Sequence, residues 1–183
     1  MKFLFGLVIL VFFSSFNSSG LNNLSEEEAK LYKLILNYRA AKGLEEIPLS
    51  SSLTFVAQTH AKDLALNIPL KGKCNAHSWS DQGQWKECCY TSNHNNSNCM
   101  WDKPAELTSY SGAGYEIAAR LLTKDPMIKI TAKEALDGWK KSPGHNKVIL
   151  NTSKWKSMHW QAIGIGMYNG AACVWYGEKK DPN

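Results

Sequence analysis

Five histidines, His60, His77, His94, His145 and His159, are the side chains of this 183-residue chain best able to exchange a proton or take a metal near neutral pH. Glu116 and Asp81 are the acids nearest to distinctive local patterns. There is no His-Glu-x-x-His, no Gly-x-Ser-x-Gly, no phosphate-binding glycine loop and no paired-cysteine zinc spacing. His77 stands beside Ser78 in Ala76-His77-Ser78-Trp79, a stretch without helical period. Side chains of adjacent residues converge poorly, so a Ser78 nucleophile activated by His77 is a weak reading, and a solvated loop histidine is the plain one. His145 follows Ser142-Pro143-Gly144 at an expected helix end, where an imidazole suits the helix dipole, and capping is its plain role.

Two helices must carry the N-terminal third. Ser25-Glu26-Glu27-Glu28 is a capping box, followed by Leu31, Leu34, Ile35 and Tyr38 at helical spacing and by Gly43 to end the helix. Ser50 to Ser52 can cap a second helix, with Leu53, Val56, Ala57, His60, Ala61 and Leu64 on one face until Pro69. His60 is therefore expected in the core, one nitrogen satisfied by a neighbour. Residues 71–111 show no period and are expected to hold short strands or a disulfide-tied functional loop. Residues 114–122 read as a short third helix with Glu116 in its first turn. Thr131-Ala132-Lys133-Glu134 opens a further helix that Pro143-Gly144 ends. Ile163, Ile165 and Met167, then Ala172, Val174 and Tyr176, alternate on either side of Asn169-Gly170, a hairpin signature. Helices followed by a hairpin make one layered α/β domain.

Lys2, the apolar run Phe3 to Phe13 and the small polar stretch Ser14 to Gly20 have the layout of a secretory signal peptide, with cleavage expected near Ser19 or Gly20. Residues 1–20 are thus read as the signal and 21–183 as a single domain. The run is too short to span a bilayer, and no later stretch of the mature chain is long enough. Export favours pairing of the cysteines. Adjacent Cys88 and Cys89 are expected to reach outward to Cys74 and Cys99, in either order, leaving Cys173 as a buried thiol. The net charge of +5 is too scattered for a nucleic-acid footprint, so nucleic acid is not an expected partner.

Ala76-His77-Ser78, Gly114-Tyr115-Glu116-Ile117-Ala118, Trp139 through Asn151 with Ser142-Pro143-Gly144-His145-Asn146 at its centre, and Ala162 through Met167 occur in the order found in one family. The chain resembles the CAP superfamily (SCP-like: cysteine-rich secretory proteins, antigen 5, pathogenesis-related proteins), and its Ser-Pro-Gly-His-Asn form is similar to the bacterial-type branch. The resemblance implies an α-β-α sandwich with a central antiparallel sheet and a cleft containing His77, Ser78, Glu116, Ser142 and His145. His77, Glu116 and His145 correspond to the family's metal-binding positions. The chain departs from the pattern at Ser142, where a second glutamate is common, at Tyr115 and Ile117 around Glu116, in the length between His77 and Glu116, and in an apparent insertion from Trp155 to Trp160.

Two imidazoles and a carboxylate suit a divalent cation, zinc being favoured. The function this implies is a secreted, non-enzymatic binding module that takes a lipid, sterol or cell-surface ligand in an apolar groove, with Trp79, Trp85 and Trp101 as candidate contacts. The alternatives are a metal-assisted, protease-like hydrolase using the same cleft, with Glu116 or His145 moving the proton, and a structural extracellular interaction module.

Overall fold

The structure is a computed structural model that describes residues 23–121, 125 and 128–182; the expected signal peptide lies outside these. Helix α1 (Glu26–Ala40) begins at the expected capping box: Ser25 Oγ accepts from the Glu28 N–H, and the Glu28 carboxylate accepts from the Ser25 N–H at 2.8 Å. Gly43, at φ +73°, follows its end in a left-handed conformation that suits glycine. Helix α2 (Ser51–Leu66) starts at Ser50, whose Oγ accepts from the Leu53 N–H. Asp181, near the C-terminus, accepts from the backbone and hydroxyl of Ser52, seating the tail on the start of α2.

The cysteine-rich stretch is a disulfide-tied loop. Isolated bridges pair Trp79 with Cys88 and Cys74 with Thr91, and helices α3 (Asn98–Trp101) and α4 (Lys103–Leu107) follow. The disulfides are Cys74–Cys89 and Cys88–Cys99, one of the two orders expected; Cys173 is a buried free thiol.

Residues 114–120, expected as a helix, are strand β1 (Gly114–Arg120). Ala118-Ala119 and the flanking Glu116 and Arg120 carry mild helical preference, but pairing with a hydrophobic neighbour overrides such propensities. That neighbour is the last strand of the chain. Helix α5 (Ala132–Lys141) opens at the Thr131 capping box and stops at Ser142 as expected. Pro143 does not simply end it: it also starts a helix, α6 (Pro143–Ile149), because proline at a first helical position loses no hydrogen bond and has φ preset. His145 therefore sits in the first turn of α6. Strands β2 (Ala162–Tyr168) and β3 (Ala171–Gly177) form the expected hairpin, with Asn169 at φ +48° in its turn. The antiparallel sheet runs β1-β3-β2.

Strand alternation sends the two faces of the sheet to different cores. Ile117, Ile163, Ile165, Val174 and Tyr176 pack with α1, α5 and α6 residues such as Leu31, Ile35, Leu136, Trp139 and Ile149. Ala118, Ala162, Cys173 and Trp175 pack on the other side with Leu53, Val56, Ala57, Ala61 and Leu64 of α2 and with Trp79, Cys88 and Tyr90 of the disulfide loop. The result is an α-β-α sandwich. Glu116 shares the α2-facing side, opposite Trp175 in the register, which sets its carboxylate against the helix that carries His60.

Candidate functional site

Both oxygens of Glu116 are taken by imidazoles. His60 Nδ1 lies 2.5 Å from Oε1, and His77 Nδ1 lies 2.8 Å from Oε2. The Glu116 and His60 side chains are fully buried, and His77 is 19% exposed. His60 Nε2 is 3.0 Å from the Ser78 carbonyl, which can only accept, so that nitrogen carries a proton. The ring also stacks on Trp79 with centroids 4.3 Å apart. His60 thus has both nitrogens satisfied, one more than its position on the apolar face suggested. Burial pushes the Glu116 carboxyl up, but the charges and hydrogen bonds of His60 and His77 outweigh it and hold the group well below the usual carboxylate range. His60 moves oppositely: burial disfavours its cation, yet Glu116 and the Ser78 carbonyl raise it above an ordinary histidine. The pair is an imidazolium and a carboxylate.

The proton on His77 Nδ1 faces Glu116, which leaves Nε2 as its electron-pair donor. His77 and His145 line one cavity of about 440 Å³, together with Glu116, Tyr90 and, on the far wall, Trp101, Tyr115 and Trp155. The His77 and His145 rings are 6.4 Å apart by centroid. Tyr115 packs on Trp101 at 5.7 Å and on Trp155 at 5.5 Å, giving the wall a continuous aromatic surface. His94 reaches the same cavity with its Nδ1 bonded to the Tyr90 hydroxyl.

The remaining cleft candidates serve other ends. Ser78 is fully buried, its Oγ exchanging hydrogen bonds with the backbone of Tyr90, so it fixes the loop that presents His77. Ser142 caps the junction of α5 and α6 and does not line the cavity. Trp79 lies beneath His60 and Trp85 packs on Trp79, so of the three tryptophans singled out only Trp101 reaches the cavity. Trp155 was missed as a contact because its segment reads as an insertion; only its aromatic clustering with Trp160 marks it.

The family model for CAP, the cysteine-rich secretory protein family, matches residues 32–177. The chain belongs to the CAP family. Three solved structures share its fold: an extracellular protein containing an SCP domain from Bacillus anthracis (18% identity, TM-score 0.57), an outer surface protein from Borrelia burgdorferi (18%, 0.53) and a cysteine-rich secretory protein from Staphylococcus aureus (14%, 0.52). They match over 84%, 85% and 84% of this chain, respectively. The match spans 40% of the Bacillus protein and 38% of the Staphylococcus protein, but 95% of the Borrelia one. No curated protein sequence matches the chain.

In this CAP domain the metal question turns on which atoms are left over. Among the described residues, the group of three potential ligands whose atoms all fall within 4.8 Å of one another is His60, Glu116 and Cys173, all buried. Two ligands on one tetrahedral zinc sit about 3.3 Å apart, given bonds of about 2.0 Å. The 2.5 Å between His60 and Glu116 is a hydrogen bond, shorter than the spacing of two ligands on one ion, so a cation here would have to break it. Burial together with the nearby Glu116 pushes the Cys173 thiol up. His77 and His145 fit better. Each imidazole on a shared zinc would have its centroid about 3.2 Å from the ion, which sets two rings about 5.2 Å apart at a tetrahedral angle. The observed 6.4 Å is about 1 Å wider, so the His145 ring, which makes no hydrogen bond to the described residues, must move inward to share an ion with His77. Glu116 then stands behind His77, orienting it, with each of its oxygens already bonded to an imidazole.

His145 also makes the domain acid-sensitive. Burial, with help from His77 and against the pull of Glu116, lowers its pKa from 6.5 to about 4. A histidine lowered on folding favours the neutral state, so stability is lost as pH falls from 6.5 towards 4, where the unfolded chain takes the proton first. Thermal melts of chelator-treated protein at pH 7, 5.5 and 4 should show a declining Tm that flattens in His145→Asn. Equal slopes in both proteins would refute this assignment.

Proposed function

We propose that this chain is an exported CAP binding module. In this reading the cavity takes a lipid or sterol, whose apolar body lies against Trp101, Tyr115 and Trp155, while a divalent cation, zinc by preference, binds at His77 and His145. The observation that carries it is the composition of the cavity: two imidazoles with nitrogens to spare face a contiguous aromatic wall in a space within the usual ligand-pocket range. The cation would add a positive centre for a polar head; Glu116 holds the His77 tautomer, and the tryptophans supply large burial with few rotamers to freeze. Export is supported by the two disulfides, by the signal-like N-terminus and by the extracellular and surface proteins that share the fold. No helix among the described residues is long and apolar enough to cross a membrane. A hydrolytic reading gains nothing from the geometry, since Glu116 is doubly engaged and Ser78 is tied to backbone.

Zinc titration by calorimetry, alongside binding of fluorescent fatty-acid and sterol probes, separates the two parts. His145→Ala should weaken zinc roughly tenfold or more while leaving probe uptake intact. Trp155→Ala should weaken the probe and spare zinc. Equal zinc affinity in wild type and His145→Ala, or no uptake of either probe, overturns the corresponding half.

A further inference from the structure

A second cavity, of about 850 Å³, meets the first at Ser153 and has a different chemistry: its wall includes Arg39, Lys42, Glu45, Lys156 and His159. Arg39 is only 5% exposed. Buried charges are ordinarily paired, because an opposite charge must replace the lost hydration. Here the guanidinium donates only to neutral oxygens: Nη1 to the Ile149 carbonyl at 2.5 Å and to Asn151 Oδ1 at 2.7 Å, Nε and Nη2 to the Glu45 carbonyl at 3.4 and 3.3 Å. A guanidinium has five N–H groups. These bonds use both on Nη1, the one on Nε and one on Nη2, so a single Nη2 N–H is left over.

Among the described residues no carboxylate forms an ion pair with Arg39, Lys42 or Lys156. Glu45 is the one acid on this wall, and its exposed side chain offsets only one of three fixed positive charges. Burial draws the Arg39 pKa down, with Tyr176 and Glu45 opposing, as a cation short of a counter-ion should behave. The rest of the wall includes Leu150, Met158 and Trp160, which offer an apolar floor. The volume far exceeds that of an inorganic ion.

We infer that this second cavity is a binding site for a small amphipathic anion, a carboxylate or sulfonate-like head on an apolar body, with the head at Arg39, Lys42 and Lys156. The site does not depend on the His77–His145 cavity. It separates two roles for Arg39: four of its N–H groups tie α1 to the Glu45 and Ile149–Asn151 segments, and the fifth, with the net charge, selects the ligand.

Naphthalene-2-sulfonate tests this, with uncharged 2-naphthalenemethanol as its neutral counterpart and the Arg39 Nε–H resonance as the readout. Lys42 and Lys156 are exposed, so the double variant Lys42→Gln/Lys156→Gln leaves the fold intact. The sulfonate should shift the Arg39 signal saturably, and the double variant should bind it roughly five- to tenfold more weakly, two rim charges being removed. Trp101→Ala, on the other cavity, should leave the titration unchanged. No saturable shift at millimolar sulfonate, an equal response to the neutral alcohol, unaltered affinity in the double variant, or loss of the shift in Trp101→Ala would each overturn the assignment.

Discussion

Replacing Glu116 by alanine should cost this domain about 3–5 kcal/mol, the penalty typical of removing one partner from a buried ion pair. The carboxylate is the anion hydrogen-bonded to His60, with Asp63 a more distant one; the His60 Nε2 proton is fixed by the Ser78 carbonyl, and the ring is fully buried against Trp79. Without Glu116 the imidazole must give up its charge or keep it unpaired, and Nδ1 loses its partner. In a domain of this size the melting temperature should fall by roughly 10 °C or more. Glu116→Gln preserves volume and can still bond both rings, so it should cost less. The pH dependence fixes the mechanism. Glu116 is lowered on folding, so its contribution is present above its unfolded value of 4.5 and fades as pH drops through its folded one. His60 is raised, so its contribution is present below 6.5 and fades as pH climbs through its folded value. The gap between wild type and Glu116→Ala should therefore be widest between about pH 4.5 and 6.5. Urea melts across that range measure it; a loss under about 1 kcal/mol at pH 5.5 would mean the network contributes little. His77 loses its orienting partner in the same variant, so zinc affinity should fall roughly 10- to 100-fold.

The residues that start helices were easy to read, and those that meet across the fold were not. Ser25, Ser50 and Thr131 act through atoms three positions away, and Asn169-Gly170 closes its own hairpin, so local sequence held the whole cause. Strand β1 was misread because its strand character comes from β3, more than fifty residues on. The same distance hid the role of His60. Its apolar face correctly placed it in the core, but its partner arrives from β1, which had been taken for a helix. A buried histidine needs two hydrogen-bond partners, and that requirement was the available signal. Family resemblance brought His77, Glu116 and His145 to one neighbourhood, which spacing alone could not do; it could not show that Glu116 faces His60 as well as His77. It also put Ser142 in the cleft, whereas Pro143 starts α6 there and makes Ser142 a junction residue.

Gly166→Ala should be as damaging as any core truncation, although it adds a single methyl group. Gly164 and Gly166 are on the sheet face that meets α2, and they let the helix backbone lie directly on β2. A Cβ at Gly166 would fall 2.1 Å from the Ala57 carbonyl carbon, and one at Gly164 would fall 2.0 Å from that of Leu53. Backbone atoms cannot turn aside as a side chain can, so α2 must lift by about 1 Å or more to restore van der Waals contact. Overpacking alone typically costs about 1–3 kcal/mol. Here the displaced helix also carries His60, one turn beyond Ala57, and a shift of that size breaks its 2.5 Å contact with Glu116. The combined loss should reach about 3 kcal/mol or more, and the low-field proton resonance expected of the His60–Glu116 bond should weaken or vanish with it. Gly138→Ala is the matching control: it sits exposed in α5 with nothing within 4 Å of the new methyl, and should gain about 0.5–1 kcal/mol from helix propensity. If Gly166→Ala unfolds in urea within about 1 kcal/mol of wild type, then α2 can yield without strain. In that case close backbone contact is not what holds His60 against the sheet.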